Sequence, residues 1–306
     1  MSIQTASDIL RGRLLIEPSF AAGQLPVIMQ MIKDQVTDSK LLYNVRSQRA
    51  PETILNIPIR KVFAAAEQFD VFSVTPYTSV DRLGYDSIVI INIIGPVMKY
   101  GGWYSWGTVE LNDLVIRMAK SDKVEGIILN IDSPGGQAAG TGDFAQTIRD
   151  AGRIKPVLAV VQDGYAASAA MWIASAALEI YVTQPTDQVG SIGAYNTLYD
   201  IYGYLEKQGL NVRDIYAPQS VDKNQDFIKA LEGDDSLIKE DLKFLVDNFI
   251  GTVKTNRGQR ISMSGDEPFT GKMYNAADAK KMGLIDGIKP MSGVVKRIEQ
   301  LIALRA

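Results

Sequence analysis

Continuous apolar runs alternate with amphipathic stretches through the middle of the chain. Ile88-Val89-Ile90-Ile91-Asn92-Ile93-Ile94 is almost wholly β-branched and ends at Gly95-Pro96. A run of that kind predicts a strand buried on both faces. Residues 109–120 place Leu111, Leu114, Val115 and Met118 on one face of a helix. A second buried strand is predicted over residues 126–131, followed by Asp132-Ser133-Pro134-Gly135-Gly136. Residues 143–151 read as a helix, 155–161 as a strand, 166–177 as an Ala-rich helix and 179–183 as a strand. Strand and helix alternating across short turns predict an α/β fold, a mainly parallel sheet flanked by helices. Open sheets of this class bind ligands at the carboxyl ends of their strands. Residues 132–136 and 163–168 stand at two such ends.

The flanks are less regular. Residues 1–86 are mixed, with helical periodicity over 23–36 and a strand followed by a helix over 54–66. They carry no chemical motif and read as an N-terminal accessory or assembly segment. Beyond the core, residues 189–194 form a second Gly-rich turn after a strand. A helix over 197–209 is closed by Gly209, and a strand follows over 212–216. Residues 217–227 are polar and without period. Residues 237–253 predict a long helix with Leu237, Ile238, Leu242, Leu245, Val246, Phe249 and Ile250 inward and Gly258 at its end. Residues 270–287 give a turn, a short helix and Gly283-Leu284-Ile285-Asp286; a terminal helix follows. The predicted organisation is an accessory segment over 1–86, one catalytic-type domain over 87–290 and a C-terminal helix over 291–306.

Composition narrows the chemistry. The chain has 306 residues, 46% hydrophobic and 22% charged, with a net charge of −3. These are the values of a soluble globular protein and favour neither nucleic acid nor an anionic membrane. No apolar run approaches the ~20 residues of a membrane span, and residues 1–24 lack the apolar core of a signal peptide. The expected location is cytoplasmic. The chain has no cysteine, which excludes disulfides, thiol nucleophiles and thiolate metal sites. It has no histidine either. A Ser-His-Asp triad and a histidine-ligated metal are therefore excluded, and neither metal nor cofactor is expected. Any activated serine needs a different base, and lysine is the usual substitute when burial lowers its pKa.

Ser168 is the candidate nucleophile. It stands just past an apolar strand run and at the start of an Ala-rich helix, where backbone N–H groups are unpaired. Such N–H groups can hold a developing negative charge. A small residue chosen for close helix packing is an equally simple reading. The Gly135-Gly136 pair lets N–H groups face outward without a side chain in the way. It reads either as half of an oxyanion hole or as an ordinary strand-to-helix turn.

Four motifs occur in order: Ile131-Asp132-Ser133-Pro134-Gly135-Gly136, Ala166-Ala167-Ser168-Ala169-Ala170, Val189-Gly190-Ser191-Ile192-Gly193 and Ala279-Lys280-Lys281-Met282-Gly283-Leu284-Ile285-Asp286. Together, over residues 87–290, they resemble signal peptide peptidase A and its relatives, the prohead proteases of tailed phages. The resemblance implies a ClpP/crotonase-like fold and a Ser-Lys endopeptidase that works as a homo-oligomer. Ser168 then takes the place of the nucleophile and Gly136 that of an oxyanion donor, with the N–H of Ala169 beside it. Single-domain members draw their lysine from a polar loop well past the serine; Lys223 lies in such a loop and becomes the general base. Ser191 matches a second serine that can hydrogen-bond the lysine amine. Ser168-Ala169-Ala170 stands where signal-peptide-processing members have Ser-Gly-Gly, and the amino-terminal anchor of those members is missing. Both points favour the phage branch, with scaffold or capsid proteins as substrates in the host cytoplasm or prohead. Some phage members carry a scaffold-like tail after the protease, and this chain stops soon after the fold. Signal peptides are the alternative substrates. An acyl-CoA enzyme or a non-catalytic assembly protein of the same fold are the rival classes.

This chemistry makes demands. Lysine at its ordinary pKa of ~10.4 must fall to roughly 7–8 to act as a base, which takes about 4 kcal/mol. Burial can supply that. Asp222 and Asp226 oppose it, so Lys223 must point away from both, or substrate or a neighbouring subunit must cover it. Lys99 is a conceivable rival; Lys155 stands at the wrong end of its strand. Trp103, Tyr104 and Trp106 read as groove or subunit contacts, or as simple loop packing.

Overall fold

The protein is seen in a computed structural model that describes residues 14–16, 60–63, 69–101, 105–198, 202–207, 209, 211, 213–262 and 267–305. In chain order the strands are β1 (Leu14–Ile16), β2 (Arg60–Phe63), β3 (Asp70–Val74), β4 (Ser87–Ile94), β5 (Val124–Ser133), β6 (Gly135–Gln137), β7 (Val157–Ala167), β8 (Glu179–Val182), β9 (Gln188–Gly190), β10 (Met273–Asn275) and β11 (Gly287–Ile288). The helices are α1 (Thr108–Lys120), α2 (Thr141–Ile154), α3 (Ala169–Ser175), α4 (Tyr202–Lys207), α5 (Gln225–Leu231), α6 (Ser236–Arg257), α7 (Ala276–Lys281) and α8 (Met291–Ala303).

Nine strands form one sheet in the order β10-β9-β7-β5-β4-β3-β2, with β8 on β7 and β11 on β8. Strands β3, β4, β5, β7, β8, β9 and β11 pair parallel to their neighbours. Among the described residues, the antiparallel pairs in it are β2 with β3 and β10 with β9, one at each end of the order. This is the expected α/β architecture, a mainly parallel sheet flanked by helices.

The continuous apolar runs are explained by parity. Successive strand side chains point to opposite faces. Val89, Ile91, Ile93, Ile127, Leu129, Ile131, Ala159 and Val161 pack with α1, α2, α3 and α6. Ile88, Ile90, Ile128, Leu158 and Val160 pack on the other face with Val294, Val295 and Ile298 of α8. Both faces are covered, so these strands are apolar at almost every position through their middle; the exceptions there, Asn92 and Asn130, pair with each other, Asn130 donating to Asn92 Oδ1 at 2.9 Å. The terminal helix is therefore one of the two layers of the fold rather than an appendage.

Helix α3 carries the weight of the site, and α6 holds it in place. Every residue of α3 is buried. Trp172 stacks on Phe249 of α6 with ring centroids 4.7 Å apart and planes 8° from parallel; such pairs add ~0.5–1.5 kcal/mol beyond area burial. Asn256 donates to Ser175 Oγ at 3.1 Å, and Ser175 donates to the Trp172 carbonyl at 2.7 Å. The end of α6 is pinned in turn. Arg257, 2% exposed, donates to Asp286 Oδ2 and to the Gly283 carbonyl, both at 2.9 Å. Asp286 Oδ2 also accepts the Ile180 N–H at 2.7 Å. Gly283-Leu284-Ile285-Asp286 thus has a structural role: it closes a buried ion pair under α6.

Several expectations change. Strand β3 pairs with β4, and β2 with β3. The sheet therefore draws on residues before 87. The helix read as starting at residue 166 starts at Ala169, because β7 runs on through Ala167. Of the strand expected over 212–216, the described residues 213–216 form none, and Ile215 is 83% exposed. Helix α6 appears as expected and ends at Gly258, although Leu242, Leu245 and Val246 are only half-buried. The helix expected over 23–36, and Trp103 and Tyr104, lie outside the described residues. Among the described residues no helix is long and apolar enough to cross a membrane.

Removing one partner of a buried ion pair leaves an uncompensated charge and costs ~3–5 kcal/mol. Asp286→Ala is expected to lower unfolding stability by an amount in that range, read from the midpoint of urea denaturation at unchanged slope. An effect below 1 kcal/mol would show that the pair does not hold α6.

Candidate active site

The site begins with an irregularity in β7. Its first half pairs with β8 through Leu158–Val161, and its last residues pair with β9: Tyr165 with Gln188, Ala166 with Val189, Ala167 with Gly190. On the other edge, Ile131 faces Val161, yet Ser133 faces Ala166. The extra residues of β7 bulge outward. Two carboxylates hold the bulge. Asp187, 2% exposed, accepts from the Gly164 N–H at 3.0 Å and from the N–H groups of Thr183 and Gln184 at 2.8 Å each. Asp132 accepts from the Tyr165 N–H at 3.4 Å. A β-carbon at Gly164 would lie 2.3 Å from Asp132 Oδ1, so any side chain there would displace the Asp132 carboxylate.

Beyond the bulge β7 ends at Ala167, and Ser168 is the N-cap of α3. Ser168 is 1% exposed and has φ 53° and ψ −115°. A non-glycine residue in such a region costs ~1–3 kcal/mol and persists only where its surroundings impose it. Here both sides do. The Ser168 N–H donates to the Gly190 carbonyl at 2.8 Å, continuing the ladder to β9. Its carbonyl accepts the Trp172 N–H at 3.0 Å, opening α3. The hydroxyl Oγ lies 3.4 Å from the Gly193 carbonyl. Ala169 is the first helical residue, so its N–H has no acceptor within the helix.

The second glycine turn leaves the adjacent strand. Because Ser133 pairs with Ala166, the Pro134-Gly135-Gly136 turn departs beside Ser168, about 5 Å away in the strand-to-strand direction. Ser133 Oγ accepts the Gly135 N–H at 3.2 Å. Strand β6 then lies against Val97, whose N–H donates to the Gly135 carbonyl at 2.7 Å and whose carbonyl accepts the Gln137 N–H at 2.8 Å. A β-carbon at Gly136 would fall 1.8 Å from that carbonyl oxygen. The glycine is required by this close approach. Backbone groups of successive strand residues point to alternate sides, so the Gly136 N–H is directed away from Val97.

The backbone pairings thus bring together Ser168, Ala169, Gly136 and Ser191. Ser191, 6% exposed with φ 53°, directly follows Gly190 and donates its N–H to the Lys272 carbonyl at 2.8 Å. Lys223 is placed differently. Its side chain is exposed, on the turn that precedes α5, and among the described residues no hydrogen bond joins it to Ser168. Of the rival amines, Lys99 is held beside β6 through its N–H, which donates to Gln137 Oε1 at 2.9 Å. Burial pushes the Lys155 amine below the usual lysine range against the pull of Glu125 and Asp122. Its Nζ donates to the Ser121 carbonyl. It precedes β7, whereas Ser168 follows it, so the full length of the strand separates them.

A cavity of about 190 Å³ adjoins this region; Ile93, Val97, Trp106, Leu111, Phe144 and Ile173 are among its lining residues. Trp106 is thereby a lining residue, steadied by an edge-on contact with Tyr77 at 5.2 Å. Ser133, Asp132 and Asp187 were not singled out by pattern. Asp132 and Ser133 stood inside a quoted motif, and an acid at the end of a buried strand was the available signal. Asp187 stands in Thr183-Gln184-Pro185-Thr186-Asp187, which reads like any solvent turn.

The chain is similar in sequence to known proteins. A protein of Methanocaldococcus jannaschii described as a protease is 30% identical over 62% of this chain. The head-tail preconnector protein of Enterobacteria phage P21 is 39% identical over 66%. The capsid assembly protease C of Escherichia phage lambda is 39% identical over 36%. The matches span 60%, 38% and 26% of those proteins' own lengths, less than two thirds in each case. The model of peptidase family S49 matches residues 149–305, from α2 through α8, and this chain belongs to that family.

Proposed function

We propose that the protein is a serine endopeptidase in which Ser168 is the nucleophile and Lys223 the general base. The observation that carries the reading is the enforced backbone of Ser168, buried between two glycine turns at the end of β7. The Ser168 hydroxyl gives its proton to the neutral Lys223 amine while Oγ attacks a peptide carbonyl. The N–H groups of Gly136 and Ala169 hold the tetrahedral oxyanion. Lys223 then protonates the leaving amine, and water hydrolyses the acyl-enzyme. Ser191, beside Ser168, receives a hydrogen bond from the lysine amine and orients it. The cavity beside Val97 offers an apolar pocket for a substrate side chain.

Lys223 is exposed in the single chain, so its desolvation comes from outside that chain. A neighbouring copy packed on the turn would supply it. Exposed apolar side chains around it support such a contact: Ile215 is 83% exposed and Val221 68%. The working form in this reading is a homo-oligomer. The similarity to the two phage proteins supports a role in phage or prophage head assembly, with scaffold or capsid proteins as substrates.

Purified protein is expected to be labelled by a fluorophosphonate on Ser168 and to cleave an unfolded protein substrate. Ser168→Ala abolishes both, and Lys223→Ala lowers cleavage by a factor on the order of 10³ or more. Mixing the two variants restores part of the activity if the amine is delivered between copies. Retained labelling in Ser168→Ala would sink the assignment.

The strain at Ser168 gives a second test. Ser168→Gly and Ser168→Ala are both inactive in this reading, but glycine tolerates the positive φ and alanine does not. The glycine variant is expected to be the more stable by about 1 kcal/mol, measured by chemical denaturation. Equal stabilities would mean that the junction stores no strain.

A further inference from the structure

One feature near the site belongs to neither the sheet nor the helices. Strand β1 pairs antiparallel with β6 as a separate two-stranded unit, in the register Leu14 with Gln137, Leu15 with Gly136 and Ile16 with Gly135. Strand β6 has two edges. Its Val97 edge uses the Gly135 carbonyl and the Gln137 N–H. By alternation, the N–H and carbonyl of Gly136 point to the other edge, the one β1 occupies. Leu15 stands opposite Gly136, so these two residues exchange their backbone hydrogen bonds. The Leu15 carbonyl therefore faces the N–H proposed above as an oxyanion donor.

From this register we infer that the chain's own segment around Leu15 occupies the peptide-binding edge of the active site as a substrate-like strand and blocks it. The inference rests on the proposed catalytic reading of Gly136 and Ser168. An extended peptide adding to an exposed strand edge gains main-chain hydrogen bonds regardless of its sequence. Strand β6 is three residues long, with a glycine opposite Leu15. It therefore recognises backbone first, and an internal strand competes with any substrate at the same groups. A tethered competitor also acts at a high effective concentration, so short peptides added from outside enter poorly while β1 is in place. The block is a main-chain effect, and it responds to loss of a backbone donor.

Leu15→Pro in the full-length protein removes the N–H that pairs with the Gly136 carbonyl and breaks the strand. Two readouts follow. Backbone amide exchange of the segment containing Gly136 is expected to quicken in Leu15→Pro relative to wild type, which tests the strand with no reference to catalysis. The rate of fluorophosphonate labelling of Ser168 is expected to rise about tenfold, the change that 1.4 kcal/mol of lost pairing produces. A synthetic peptide of residues 10–20 should slow labelling of the Leu15→Pro protein, and the same peptide carrying the proline should not. If Ser168 labels equally in wild type and Leu15→Pro and exchange at Gly136 is unchanged, the blocking strand does not exist, and the catalytic reading stands. If no serine labels in either protein, the catalytic reading fails, and the exchange measurement alone decides whether β1 holds the edge.

Discussion

The rest of the site depends on one backbone conformation. Ser168 leaves a parallel strand and enters a helix within a single residue, and it does so in a sparsely populated region of φ and ψ. The chain accepts φ 53° and ψ −115° there because both neighbours are fixed more strongly than the serine is strained. Upstream, the ladder from β7 to β9 continues into the Ser168 N–H. Downstream, α3 is buried along its whole length and stacked on α6 through Trp172 and Phe249. A cost of ~1–3 kcal/mol is small beside the burial of seven side chains. The same conflict turns the hydroxyl out of the strand and frees the first N–H of the helix. Position and polarity thus come from a single local constraint.

The distant parts of the fold serve that constraint. Asp187 and Asp132 hold the bulge that lets β7 end level with the glycine turn of β5. Arg257 and Asp286 anchor the end of α6, and Asn256, one residue before the arginine, reaches back to Ser175 at the end of α3. Helix α8 closes the opposite face and keeps the central strands dry. Of the four motifs recognised in the sequence, three surround Ser168. The fourth lies behind it and works by packing and charge. A motif that carries a family resemblance need not touch Ser168.

What could be read from the chain follows from what drives each element. The run from Ile88 to Ile94 announced a strand because helices cover both of its faces, and burial is what an apolar pattern records. Ser168 stood out through its alanine-rich surroundings, but the junction did not. Propensity favoured helix from residue 166, and the pairing of Ala166 and Ala167 with β9 overrode it. Pattern failed in the opposite sense around Ile215, where an apolar side chain stands exposed and no strand forms among the described residues. Asp187 and Arg257 were invisible because a reading by hydropathy puts charged residues outside. Each lies inside because the fold pairs it there: Asp187 accepts from the N–H groups of Gly164, Thr183 and Gln184, and Arg257 donates to Gly283 and Asp286. Lys223 was named through family resemblance alone, since nothing in its own neighbourhood marks a base.

Lys155 and Lys223 show why a lysine base is hard to recognise. Two conditions must hold together: the amine must lose water, and it must reach the serine. Lys155 meets the first, since burial pushes its amine down, yet it lies at the far end of β7. Lys223 is exposed and meets neither within the single chain. In the proposed chemistry both conditions are met only when another surface closes over the turn before α5, so the base is conditional on assembly. In that reading the serine is already buried and held in place before the base reaches it. A base that arrives late and a strand that fills the β6 edge would restrain the same serine by independent means, one by withholding proton transfer and the other by excluding the peptide. Assembly alone then suffices to lift the first restraint, and the second yields only to a polypeptide able to displace β1 from Gly136.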